Sequence, residues 1–120
     1  MVESSKKVKP WRQDVKFAAL ENKTADWDTS QQMSLSVVFM FQRPQSHYLK
    51  SGLRSTAPYY CTSALTGDLD KLLRSTNDAM TGVLFNDDRQ VVCISAIKRY
   101  CGPNEQPGAI ITLTALQKNQ

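Results

Sequence analysis

The sequence predicts an α+β fold, a small mixed β-sheet with two helices packed on one face. Three observations predict it. Residues 10–22 and 69–80 place apolar side chains at helical spacings of three and four. Residues 33–41, 90–99 and 109–116 are short runs rich in Val, Ile, Phe and Thr, the composition of strands. The chain has 120 residues, 41% of them hydrophobic. That length buries one real core without disulfide or metal staples, and does not comfortably hold two. A single domain over 1–120 is therefore expected, its helix–strand–helix–strand–strand order making a helical layer over a mixed sheet.

Each element has a local reason. Pro10 suits a first helical turn, and Trp11, Val15, Ala18 and Ala19 then form an apolar stripe to about Asn22. MSLSVVFMF (33–41) begins as alternation and ends as a continuous apolar run, the pattern of a well-buried strand. Residues 42–67 are polar and broken by Pro44, Gly52, Pro58 and Gly67. So long a loop in a small domain is usually functional or mobile. Asp68 then precedes a second stripe, Leu69, Leu72, Leu73, Thr76, Ala79 and Met80, stopped at Gly82. Val83-Leu84-Phe85 is expected to run extended, back along this helix. QVVCISAIKR (90–99) reads as a strand, GPNEQPG (102–108) as a turn, and AIITLTAL (109–116) as a strand returning in a hairpin.

Composition narrows the function classes. No apolar run reaches the ~18 residues of a membrane span, and MVESSKKVKPW lacks a signal peptide's apolar stretch. Three cysteines (Cys61, Cys93, Cys101) with no C-x-x-C pair form neither a disulfide framework nor a zinc site, so a cytoplasmic location is expected. The net charge is +4, unevenly spread. Residues 1–63 carry nine basic against five acidic side chains, and 91–120 three against one. Residues 64–90 hold Asp68, Asp70, Asp78, Asp87 and Asp88 against Lys71, Arg74 and Arg89. An acidic island in a basic chain suits an enzyme holding a hard cation against a polyanion. Solvated turn aspartates would give the same charge distribution.

The second helix carries the same ambiguity. Opposite its leucine stripe lie Asp70, Arg74 and Asp78, at i, i+4 and i+8. On a structural reading Asp68 caps the helix, Asp70 complements its dipole, and Arg74 pairs with both aspartates of the ladder. On a functional reading Asp68, Asp70 and the pair Asp87-Asp88 converge, which requires a cation to offset their repulsion. Oxygen ligands without His or Cys nearby specify Mg²⁺ or Mn²⁺ rather than zinc.

The run GDLDKLLRSTNDAMTGVLFNDDRQV (67–91) resembles the signature of the RusA family of Holliday-junction resolvases, found in bacteriophages and prophages. The family pattern is D-L-D-N-x-x-K-x-x-x-D-A-L followed by D-D-x-x-V. FMFQRPQSHYLKSG (39–52) resembles its strand and basic R-P-x-S-H loop, KPWR (9–12) its helix opener, and ISAIKRY (94–100) its strand ending in lysine. The resemblance covers about residues 8–115. It implies that Asp68, Asp70 and Asp88 are catalytic, metal-binding carboxylates, with Arg74 where the family usually has a catalytic lysine. Lys71 stands where it usually has asparagine, and Thr66-Gly67 where it often has Lys-Pro. The strand that opens the family, ahead of the K-P-W-R helix, has no counterpart, so an N-terminal strand is expected to be lacking.

The resemblance thus implies a homodimeric, Mg²⁺-dependent endodeoxyribonuclease that nicks paired strands of four-way junctions, a two-fold enzyme on a two-fold substrate. Lys6, Lys7, Lys9, Arg43, Lys50, Arg54, Lys71, Lys98 and Arg99 are candidate phosphate contacts, and His47 and Tyr48 candidate contacts to backbone or unstacked bases. The alternative is a DNA-binding protein that keeps the resolvase fold with little or no activity. Each active site is expected to lie within one chain.

Overall fold

The computed structural model describes residues 5–116, with side chains from Trp11 onward. Its elements are α1 (Ser5–Asn22), β1 (Met33–Phe41), β2 (Tyr48–Leu49), β3 (Gly52–Leu53), α2 (Leu69–Met80), β4 (Val91–Tyr100) and β5 (Gly108–Ala115). β1, β4 and β5 form a mixed sheet, and β2 and β3 a separate small hairpin. Among the described residues no helix is long and apolar enough to cross a membrane.

β1 is the middle strand, parallel to β4 and antiparallel to β5. That corrects the expected β4–β5 hairpin. β1 is the most apolar strand, so it takes the position flanked on both sides, and the 102–108 turn carries the chain past its end to the far side. Cys101 N–H donates to Phe41 O at 2.9 Å as the chain crosses. A parallel β1–β4 pair needs a long crossover, which α2 supplies.

Met33, Leu35, Val37 and Phe39 alternate onto the helical face of β1 and are nearly inaccessible. They pack with Val15 of α1, Ala79 and Met80 of α2, and Phe85. Thr76, fully buried, donates its hydroxyl to Leu72 O at 2.9 Å and accepts from Trp11 Nε1 at 3.4 Å, joining the two helices. Two details differ from the sequence reading. α1 begins at Ser5 rather than Pro10, and Ala18 of its stripe is exposed.

Residues 81–85 do not run extended along α2. Gly82 N–H donates to Phe85 O at 2.6 Å, and Val83 and Leu84 N–H both donate to Met80 O, at 3.0 and 2.9 Å. Gly82 takes the left-handed φ of 85° that this tight turn requires. Val83 and Phe85 are apolar because the turn points them into the core.

Candidate active site and nucleic-acid interface

The first turn of α2 carries Asp68 and Asp70. Asp68 occupies the N-cap in extended conformation, yet its side chain makes no capping hydrogen bond. Its nearest cation is Lys71 Nζ, at 3.7 Å in an exposed pair, a geometry that contributes little stability. Asp70, in the same turn, is exposed. The expected ladder of Asp70, Arg74 and Asp78 does not form. Asp78 instead faces Arg12 of α1, whose Nη2 lies 3.6 Å away and whose Nε donates to Ser75 Oγ at 3.2 Å. Arg74 is exposed and makes no ion pair among the described residues.

Lys98, half-buried near the end of β4, fixes the approach to this turn. Its Nζ donates to Gly67 O at 2.5 Å and to Thr66 Oγ1 at 3.1 Å. Gly67 has φ 77°, so the reversal into Asp68 demands glycine. Ser63 Oγ accepts from Leu65 N–H at 3.2 Å and shapes the 3₁₀ turn before it. Lys98 thus acts on the acidic turn from within the protein rather than as a solvent-facing cation.

Asp87 and Asp88 part company. Asp87 caps the 3₁₀ turn Asp88–Gln90, accepting from Arg89 N–H at 2.9 Å and Arg89 Nε at 3.2 Å, and these bonds hold its carboxyl below the usual range. Gln90 anchors the turn, its Nε2 donating to Thr29 O and Gln31 O at 2.8 and 2.9 Å, while its Oε1 accepts from Asn86 and Asp87 N–H. Asp88 is left exposed on this rigid turn.

The two acidic positions stand at opposite ends of β4. Asp88 precedes Val91, the first strand residue, whereas Gly67 is bonded to Lys98 near the last. Seven strand steps at ~3.3 Å separate these ends by roughly 20 Å. No group of three or more His, Cys, Asp or Glu side chains close enough to hold a metal ion occurs among the described residues. The expected single-chain site is therefore not formed, because the tight 81–85 turn leaves Asp88 at the far end of the sheet. One chain offers Asp68 and Asp70 as an uncapped, oxygen-only donor pair.

The long 42–67 segment is fastened down. Arg43 Nη1 donates to Pro58 O at 2.7 Å, its guanidinium lies 5.1 Å from the Tyr100 ring centre, and His47 stacks edge-on against that ring at 4.9 Å. Arg54 Nε donates to Ser46 O at 2.9 Å, whereas Lys50 and Tyr48 are exposed. Residues 59–61 bond to the outer edge of β4: Tyr100 N–H donates to Tyr59 O at 2.9 Å and Cys61 N–H to Lys98 O at 3.2 Å. Burial raises the Cys61 thiol above its ordinary pKa, marking it as an anchor. Arg99 is held by Glu105 through both guanidinium nitrogens, at 2.6 and 2.8 Å, which removes it as an open phosphate contact. Lys6, Lys7 and Lys9 have side chains outside the described residues. The sequence reading missed the exposed, adjacent Tyr59 and Tyr60, whose one signal was two aromatics in a polar loop.

No curated protein and no solved structure gives a significant match to the chain. A family model described as Endodeoxyribonuclease RusA matches residues 1–114. With the match running through both acidic turns and every element of the sheet, the chain belongs to the RusA family of endodeoxyribonucleases.

Proposed function

We propose that this protein is a Mg²⁺-dependent, homodimeric resolvase of four-way DNA junctions, each active site drawing Asp68 and Asp70 from one chain and Asp88 from a second copy. The observation that carries this reading is Asp68, an N-cap aspartate that leaves the helix amides uncapped while Asp87 uses its carboxylate for capping. A residue at a capping position that does not cap is available to a ligand.

β4 supports assembly across two copies. Apart from the contact with 59–61 its outer edge has no strand partner among the described residues, and Val92 and Ile94 on it are 60% and 45% exposed. An open apolar edge strand is a pairing surface. Two such edges meeting antiparallel about a two-fold axis bring the acidic end of one strand to the basic end of the other. Asp88 of one copy then approaches the α2 N-terminus of its mate.

In this site Asp68, Asp70 and the second copy's Asp88 hold the cation. When bound, Mg²⁺ or Mn²⁺ activates a water and stabilises charge on the scissile phosphate and the leaving oxygen. The exposed Arg74 guanidinium neutralises charge developing on the phosphate. Lys50, Arg54 and Lys71 supply cations for the flanking phosphates.

The test is Asp70→Asn assayed on labelled four-way, flap and linear DNA, with Mg²⁺ and with EDTA. Cutting is expected to vanish while junction binding persists or tightens, because a ligand and a negative charge near the phosphates are lost together. Near wild-type cutting by the variant would remove Asp70 from catalysis, and absence of cutting by the wild type in Mg²⁺ would favour the non-catalytic DNA-binding reading.

A further inference from the structure

Tyr59 and Tyr60 are 53% and 57% exposed, in a segment whose backbone is bonded into the edge of β4. Their rings meet edge to face at 4.8 Å and 86°. Buried tyrosines are explained by packing, and mobile ones lose conformational entropy when a ligand orders them. These two are neither. Arg99 lies 5.8 Å from the Tyr59 ring centre, and its fork with Glu105 holds it there.

The position of the pair matters as much as its exposure. Lys98 accepts from Cys61 N–H through its carbonyl and holds Gly67 O through its ammonium. The tyrosines and the turn leading into Asp68 are therefore tied to the same residue. Arg43, bonded to Pro58 O, adds positive charge beside them.

We propose that Tyr59 and Tyr60 form a stacking platform for an unpaired nucleobase at the branch point of the DNA, seating the backbone next to that base against Asp68 and Asp70. This rests on the junction-resolving function proposed above. Bases at a branch point leave the stack at lower cost than those of a linear duplex. An exposed aromatic face accepts any base, and removing one such contact typically costs about 1–3 kcal/mol. Arg99 is matched by Glu105 and Lys98 is turned inward, so Arg43 is the cation that suits an adjoining phosphate.

The full chain is titrated with a four-way junction and with linear duplex in EDTA, as wild type, Tyr59→Leu, Tyr60→Leu and Tyr60→Trp. The leucine variants are expected to bind the junction roughly five- to a hundredfold more weakly, with duplex binding unchanged and Tyr60→Trp near wild type. In parallel, a junction carrying 5-iododeoxyuridine at its branch point is irradiated in complex with the wild-type protein. The cross-link is expected on Tyr59 or Tyr60. Equal loss on duplex and junction, cross-links confined to other residues, or conversion of either leucine variant to a monomer overturns the platform. Failure of the wild type to cut the junction in Mg²⁺ while the cross-link still forms on these rings overturns the resolvase reading and leaves the platform standing. Absence of any junction complex overturns both.

Discussion

Lys98 reaches Gly67 O and Thr66 Oγ1, so one ammonium fixes the chain a single residue ahead of Asp68. In the proposed site it acts as a positioning residue. Lys98→Met is expected to lower the cleavage rate about tenfold or more and to raise the Mg²⁺ concentration for half-maximal cutting. A hydrogen bond to a charged group contributes ~1.5–3 kcal/mol, enough to displace the turn. A phosphate-contacting lysine would behave differently, weakening DNA binding and lowering its salt dependence by about one counterion with the Mg²⁺ requirement unchanged. Measuring both dependences separates the two roles. In the sequence Lys98 and Arg99 are simply two adjacent cations. Their fates diverge because strand alternation sends them to opposite faces, one meeting a turn carbonyl and the other Glu105. Nothing local encodes those partners, which lie 31 and six residues away. The aspartates stand out in the sequence through their spacing and the resemblance to the RusA pattern. That Asp87 caps and Asp88 does not was settled by Gln90.

At the scale of elements, α2 and β1 were legible nearly to the residue because their apolar periods are long and uninterrupted. The 81–85 segment was not, since Val83-Leu84-Phe85 has a strand's composition and a turn's hydrogen bonds. The pairing of β5 with β1 rather than β4 was hidden for a related reason: strand order depends on which strand is most deeply buried, not on which is nearest in sequence. The 102–108 turn that allows this order carries its own clamp. Glu105 accepts from Arg99 and from Gly102 N–H at 2.6 Å, and these bonds lower its pKa to about 2. A depressed carboxylate contributes its stability in full above the ordinary value of 4.5 and loses it as pH falls through about 2. Wild type is therefore expected to melt above Glu105→Gln at neutral pH, with the gap closing between pH 4.5 and 2. A gap constant across that range would show that the clamp does not depend on the carboxylate charge.

For the whole molecule, the decisive geometry is the length of β4. Asp88 stands before its first residue and the Asp68 turn is tied near its last, so the three carboxylates of the proposed site span a sheet rather than a pocket. The sequence carried the members of that set without their distribution, because distance along a chain says little about which end of a strand a loop returns to. In the proposed dimer, two chains with antiparallel β4 edges restore the set twice, once for each strand to be cut. The measurement that tests this most directly uses mixed dimers of Asp68→Asn and Asp88→Asn chains, purified through two different tags and given a four-way junction in Mg²⁺. Each variant alone is expected to be inactive. In the mixed dimer one site loses two carboxylates and the other keeps all three, so single-strand nicking without paired cutting is the predicted result. Mixed dimers that bind the junction and leave every strand intact would contradict the shared site.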